Sequence, residues 1–432
     1  MPLENRPSLL DLDHGAMPMI AAMQARGLLV DQARCREFGE FCVREMAVRH
    51  STIEQMAGAA VNPNSGDQVA SLLFDHLQLP PTRKTPGGAR FRADDKALEG
   101  LRDHHPIIEP ILEYRELSKL KSTYCDAILR EVASDGRLHP NIRTTRVPTG
   151  RLSAHKPNLL AMPTRSEWGR EIRKCFIAPP GRELFTIDLT QIEMGVTASE
   201  SGDEGMITRS IAGADEHKAS GADCFSIPLA EVTKQQRQVG KTVGFGMLND
   251  MSGRGLLDQF RLYQCFKAPA TDTERAIRYT LEEADAFVER WHQRRPGVSA
   301  WKEETRAHAR RYGWVADMWG RIRYFDEVHS AMPRIVSDGL RAAVNHPIQG
   351  GAQGIIKRAM AIIWWEYLPL IRATCYCAPL LQVHDELLWE VEQGAGTWIG
   401  PLMQEAMAGA VQLRVPVKSA WAAGPSWGEL EK

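Results

Sequence analysis

"LLQVHDELLWEVE", spanning Leu380–Glu392, sets His384, Asp385 and Glu386 in the middle of an apolar run. A carboxylate buried without a partner is costly, so a charged triplet between two greasy segments needs a reason. "PLLQV" and "LLWEV" read as two short strands joined through His384 and Asp385. Their turn lacks the Asn-Gly usual in a two-residue hairpin. Either it is a plain polar turn, or its residues carry chemistry.

A second acid sits in a comparable place. "IAPPGRELFTIDLT" gives a proline and glycine turn, a short strand over Leu184 to Ile187, and Asp188 at its end. The following "LTQIEMGVTASES" has helical spacing, and an acid in Asp188's place, taken alone, is more often a helix cap. Two strand-end aspartates can meet on one sheet. Hard cations such as Mg²⁺ take oxygen ligands, commonly one or two carboxylates plus substrate phosphates. Two such ions about 4 Å apart activate an attacking hydroxyl and stabilise a leaving pyrophosphate.

A triphosphate binder would complete that chemistry. In "RQVGKTVGFGML", Arg237, Lys241 and Phe245 fall at i, i+4 and i+8, so one helix face carries two cations and then a ring. Arg grips phosphate oxygens through paired donors, and Lys acts as a point charge. The alternative is an ordinary amphipathic surface helix. Gly240, Gly244 and Gly246 weaken it, since glycine costs a helix about 1 kcal/mol against Ala and suits a close approach to the backbone.

Composition sets the frame. The 432 residues are 43% hydrophobic and 25% charged, as in a folded globular protein. No run of about 18 apolar residues predicts a membrane span. The start, "MPLENRPSLLDLDHG", lacks the basic n-region and apolar h-region of a signal peptide. The eight cysteines are scattered, and Cys375 and Cys377 lack a second pair for zinc, so a reduced cytoplasmic protein is expected. Net charge is −1, yet Arg137 to Arg182 holds ten basic residues against Glu167 and Glu171. That excess is either a footprint for a phosphate backbone or a solvated charged face.

Residues 15 to 58 have helical periodicity, interrupted at Gly27 and Asp31. "NPNSGDQVASLLFDHL" (Asn62 to Leu77) predicts a turn and a helix capped near Ser65 or Asp67. Leu79 to Arg92 reads as a loop, and His105 to Val132 as a long helix with basic residues, Lys119 and Lys121 among them, along one side. Asp203 to Gln349 is mostly helical, and "GGAQGIIKRAMAIIWWEYL" adds a further helix before the hairpin. Strands at two distant points with helices between them predict an α+β palm flanked by helical subdomains.

"LFTIDLTQIEMG", "RQVGKTVGFGML" and "LQVHDELLWE", in this order, resemble the three polymerase motifs of family A DNA polymerases, the bacterial DNA polymerase I type. "TGRLSAHKPNLLAMPTR", "GREIRKCFIAPPG", "GWVADMWGRIRY" and "NHPIQGGAQGIIKRAM" also match that pattern, and "NPNSGDQVASLLFDHLQLP" and "YRELSKLKSTY" resemble its thumb. The resemblance implies a right-hand fold with an antiparallel-sheet palm, helical fingers and helical thumb. It divides the chain into a palm-associated segment 1–30, thumb 31–130, palm 131–204, fingers 205–350 and palm 351–432. It also implies the roles of single residues. Asp188 and Asp385 would hold two Mg²⁺ ions, with Mn²⁺ as a substitute and Glu386 beside them. Arg237, Lys241 and His217 would meet the triphosphate of an incoming dNTP, and Phe245 its sugar and base. Glu193 would be a steric gate against a 2′-hydroxyl, with Gln191 in the same turn. Arg151, Gln349 and His384 would touch primer-template DNA, supported by Asn345; Asn249, Lys119 and Lys121 would add DNA contacts.

Three departures stand out. The family usually follows its second motif with Tyr-Gly, where this sequence has Asn249 and Asp250; looser or rearranged base discrimination is expected. Gly195 stands where an arginine is frequent. The thumb pattern begins near residue 15, leaving no room for a proofreading exonuclease, and "TDTE" (Thr271 to Glu274) reads as a helix start. The expectation is therefore a monomeric, template-directed DNA polymerase without proofreading. It would work in a bacterial nucleoid or infected-host cytoplasm, with accessory replication proteins or a separate exonuclease. RNA-templated synthesis and a non-catalytic primer-template binding subunit are the alternatives.

Overall fold

The computed structural model describes residues 8–81, 91–163, 166–263, 265–267 and 278–430. Four strands form its central antiparallel sheet: β1 (Arg182–Leu189), β2 (Cys377–Val383), β3 (Glu386–Glu392) and β4 (Ser419–Gly424), in spatial order β4-β1-β3-β2. The quoted hairpin is β2 and β3, turned by His384 and Asp385, with His384 in the left-handed region at φ 56°. β2 is buried along its whole length and β3 between its end residues. A sheet covered on both faces needs apolar residues at successive positions, which is why these strands read as continuous runs.

β1 corrects the expectation for Asp188. The strand extends through Leu189, so Asp188 lies inside the ladder, opposite Glu386 on β3 and Ala420 on β4. Partners on both sides keep the backbone extended through Asp188 to Leu189, which is itself in the core. The acid that is wholly buried in the quoted stretch is Glu390. It meets Arg26 at 2.5 Å, Arg137 at 2.7 Å and Arg182 at 2.5 Å. Burial pushes its pKa up, but the three guanidinium groups outweigh that and hold it below the usual range.

The helices follow the predicted punctuation. α1 (Leu9–Arg26) stops at Gly27, φ 64°, and α2 (Gln32–Ala57) starts at Asp31, whose carboxylate accepts the Arg34 N–H at 2.9 Å. Ser65 caps the next short helix. α3 (Ile108–Lys119) continues through Leu120–Cys125 to Glu131 as one long helical run. Then come α4 (Ile192–Ser201), α5 (Glu216–Phe225), α6 (Lys234–Leu248), α7 (Leu281–Gln293), α8 (Pro296–Tyr312) and α9 (Pro333–Ile362). α9 passes through Pro347 without ending, so "GGAQGIIKRAM" continues an existing helix and the 350/351 division falls inside it. Thr271–Glu274 lies outside the described residues.

Three main cores result. One joins the sheet, α1, α9 and the start of α2 (Cys35, Phe38, Cys42). A second joins α4 to α8 around Val239, Val243, Met247, Phe287 and Trp291. A third packs Ile53, Val69, Leu98, Ile108 and Ile111. All eight cysteines are free. Among the described residues no helix is long and apolar enough to cross a membrane.

Candidate active site

Strand register brings the acids together. The Leu189 N–H donates to the Asp385 carbonyl at 3.1 Å, so the residue after Asp188 is bonded to the turn that carries the second aspartate. Asp188 faces Glu386 across the β1–β3 pair. Thr186, two residues before Asp188 and on the same face of β1, donates its hydroxyl to Glu386 Oε1 at 2.5 Å. Asp188, Asp385 and Glu386 are half-buried, at the rim of the core. Arg173 is a positive charge acting near Glu386; burial lowers its pKa, opposed by the Glu386 carboxylate.

On α6, Arg237, Lys241 and Phe245 form the outward ridge expected from their spacing, while Val239, Val243 and Met247 face the core. A capping box between Thr233 and Gln236 starts the helix. What approaches its glycines is protein. A Cβ on Gly240 would lie 2.3 Å from the His217 carbonyl and the Gly221 N of α5, and one on Gly244 would lie 2.5 Å from Met194 Cε. Glycine lets α5 and α6 touch backbone to backbone.

That contact carries the site's electrostatics. Asp215, the N-cap of α5, accepts from Gln191 Nε2 at 3.0 Å, Arg237 Nε at 2.6 Å and the His217 N–H at 2.9 Å. Burial raises the Asp215 pKa, but Arg237 and Gln191 outweigh it, and the carboxyl lies below its ordinary value. Asp215 was not singled out in the sequence; its one signal is a helix-capping acid two residues before His217. His217 packs its ring on Phe245 with centroids 5.1 Å apart. Burial, with Lys241 and Arg237 nearby, lowers its pKa to about 4, so it is neutral at pH 7.

Glu193 opens α4 and accepts from Arg151 Nη2 at 2.6 Å. Gln191 just before it is left-handed, φ 54°, which turns the chain from β1 into α4. His384 is exposed at the tip of the turn; partial desolvation lowers its pKa, helped by Arg151 and Arg173 and opposed by Glu386 and Asp188. The basic stretch is less free than its composition suggests: Arg137 and Arg182 serve Glu390, Lys174 serves Glu171, and Arg173 stacks 4.1 Å over Trp427.

The remaining candidates divide. Asn345 and Gln349 sit one turn apart on α9, which packs against α4 where Gly351 meets Val196. Gln353 extends that line by another turn, and Asn345 Oδ1 and Gln353 Nε2 are buried polar atoms without a partner. The i, i+4, i+8 amide spacing could have revealed Gln353. Asn249 caps α6, and its Nδ2 donates to the Phe245 carbonyl at 2.8 Å. Lys121 pairs with Asp126 at 2.5 Å and lies along Gly39 of α2, whereas Lys119 is exposed. Gly195 leaves room beside Val415 and lines a cavity of about 270 Å³ with Gln191, Asp215 and Arg237.

Asp188, Asp385 and Glu386 offer only oxygen donors, a set that suits a hard divalent cation completing its shell with phosphate oxygens and water. Among the described residues no group of three or more His, Cys, Asp and Glu is arranged to hold a metal by itself, so a cation here would depend on phosphate and water to complete its shell.

The acid-bearing sheet with the helical body beside it makes the class plain: a right-hand polymerase fold. The sequence profile of DNA polymerase family A matches residues 32–429, and the chain belongs to that family. It is 37% identical over 410 residues to the thermostable DNA polymerase I of Thermus aquaticus, covering 95% of this chain and 47% of that protein. It is 33% identical over 438 residues to DNA polymerase I of Pseudomonas aeruginosa, covering 99% of this chain and 45% of that protein. The chain therefore spans about half the length of these curated relatives. A solved structure, the POL domain of Pol1 from M. smegmatis in complex with DNA primer-template and dNTP, superposes with a TM-score of 0.86 at 33% identity. The match covers 96% of this chain and 70% of that one.

Proposed function

We propose that this chain is a template-directed DNA polymerase that extends a primer 3′ end with dNTPs. The observation that supports this most is the continuous bonded path from the acids to the cationic ridge. Leu189 ties β1 to the Asp385 turn, and Gln191, two residues on, reaches Arg237 through Asp215. The structural relative with primer-template and dNTP bound supports the substrate class.

In this mechanism the primer 3′-OH attacks the α-phosphate, the bond from the α- to the β-phosphate breaks, and pyrophosphate leaves. Asp188 and Asp385 would hold two Mg²⁺ ions, or Mn²⁺, whose chemistry there is Lewis acidity toward the attacking and leaving oxygens. Glu386, held by Thr186, borders that pair. Arg237 and Lys241 bind and orient the triphosphate, and Phe245, braced by neutral His217, packs on sugar and base. Glu193 fills the space of a 2′-hydroxyl. Arg151 and His384 approach the primer terminus, and Asn345 and Gln349 the duplex. Asn249 and Lys119 add template or duplex contacts; Lys121 does so only by exchanging Asp126 for phosphate.

The subdomain reading belongs to the same proposal: thumb 31–130, fingers 205–350, and a palm of 131–204 and 351–432 with 1–30 docked on it. Support comes from the two cores outside the sheet and from the packing of α1 on β2 and α9, while both ends of the thumb segment (Cys35 to Cys42 and Leu117 to Ile128) pack into the sheet's core. Synthesis without proofreading by these residues is also proposed, because the family match takes up nearly all of them.

Primer extension with dNTPs and Mg²⁺ tests the function, wild type against Asp385→Asn. Extension that is lost at least a thousandfold in the variant, with primer-template binding kept, is expected. Extension by the variant at the wild-type rate overturns the assignment of the acids. Binding without extension by the wild type overturns the enzymatic reading.

A further inference from the structure

The end of α6 is fastened in a way the mechanism above does not use. After Asn249 the chain turns at Asp250, whose φ of 54° lies in the left-handed region that a residue with a Cβ adopts only at a cost. Its carboxylate accepts from Arg306 Nη2 at 2.5 Å and from Lys302 Nζ at 3.2 Å. Both cations come from α8, one turn apart on the same face. The Lys302 side chain is only 1% exposed, and its ammonium also donates to the Met247 carbonyl in the last turn of α6.

Each part depends on the others. A buried ammonium needs a counter-charge and acceptors for its protons, and Asp250 with the Met247 carbonyl supplies both. A cation at a helix C-terminus satisfies an orphan carbonyl and the negative end of the helix dipole. Burial lowers the Lys302 pKa; burial raises that of Asp250, yet the two cations outweigh it and keep the carboxylate charged. The clasp thus fixes α6 against α8 one residue beyond Asn249, whose own amide is tied back to Phe245.

We propose that the Asp250–Lys302–Arg306 clasp is a positioning device for nucleotide selection: it sets the pose of the α6 end, and so of Phe245 and Asn249, against the nascent base pair. The proposal rests on the polymerase reading and assigns selectivity to residues that touch neither substrate nor metal. A fixed helix end presents one surface to a correctly shaped pair; a loosened end accommodates mispairs and holds the correct dNTP less well.

Single-nucleotide insertion measures it, with kcat and KM taken separately for the correct and a mismatched dNTP and normalised to active sites. Asp250→Asn and Lys302→Met are each expected to raise the correct-dNTP KM about tenfold, with kcat within about threefold. The correct-to-mismatched ratio of kcat/KM should fall about tenfold, and the double variant should lose no more than the worse single one. Arg306→Gln, at the less buried of the two cations, should lower the same ratio by about threefold and keeps the test alive should a buried variant not fold. A merely structural role would lower thermal stability and active fraction while leaving the ratio untouched. An unchanged ratio in variants that extend a primer overturns the clasp alone. A wild-type chain that extends no primer overturns the polymerase reading and the clasp with it.

Discussion

Arg151 holds Glu193 through a 2.6 Å bond from Nη2 to Oε1, joining the loop ahead of β1 to the first turn of α4. A side chain meant to exclude a hydroxyl must stay in one place, and a charge-assisted bond restricts it. Glu193→Ala is expected to lower the preference for dNTP over rNTP, as a ratio of kcat/KM, by about a hundredfold. Arg151→Ala should lower it by about tenfold and weaken primer binding as well. Equal ratios in wild type and Glu193→Ala would remove Glu193 as the gate.

Asp215 orients Arg237, so the two should behave as one unit. Arg237→Ala is expected to raise the dNTP KM about thirtyfold, and Asp215→Asn about tenfold, with kcat changed less. Combining them should cost no more than Arg237→Ala alone, because a missing guanidinium cannot be misplaced. Additive losses would show that Asp215 acts through its α5 cap.

Glu390 is fully buried beneath three arginines, two of them about one-third exposed. Glu390→Gln leaves guanidinium groups converging without a counter-charge and should destabilise the fold by roughly 3 kcal/mol. Urea unfolding would measure it. Primer extension per folded molecule should stay within about twofold, since Glu390 lies four residues along β3 from Glu386, away from the acids at the turn.

Two histidines predict how stability depends on pH. Burial lowers both His217 and His292 to about 4. Between pH 6.5 and 4 the unfolded chain binds protons at these sites and the folded one does not. Their contribution is therefore complete above pH 6.5 and lost as pH falls toward 4, on the order of 2 kcal/mol each. His292→Gln should flatten the fall in unfolding free energy between pH 7 and 5; an unaltered slope would assign the loss to other groups.

Much of this was legible in the chain itself. The hairpin, the helix break at Gly27 and Asp31, the Ser65 cap, the α6 ridge and the acid beside each strand were readable because they depend on near neighbours: alternation, helical spacing and a capping oxygen. The excess of base between Arg137 and Arg182 was only partly legible, because composition cannot tell an arginine facing solvent from one facing Glu390. Gly240 and Gly244 are places of close approach, though the approaching groups, α5 at Gly240 and Met194 of α4 at Gly244, could not be named from sequence; Gly246 makes only ordinary contacts.

Sequence alone determined the chemical inventory: an aspartate beside each of two predicted strands, a helix with two cations and a ring, and the order in which they occur. Tertiary structure decided what each charge answers to. Asp188 meets the Asp385 turn through register between strands far apart in the chain; Asp215 takes Arg237, and Asp250 takes Lys302. These pairings follow from packing and desolvation, which act on distance in space, and periodicity along the chain carries no record of that distance.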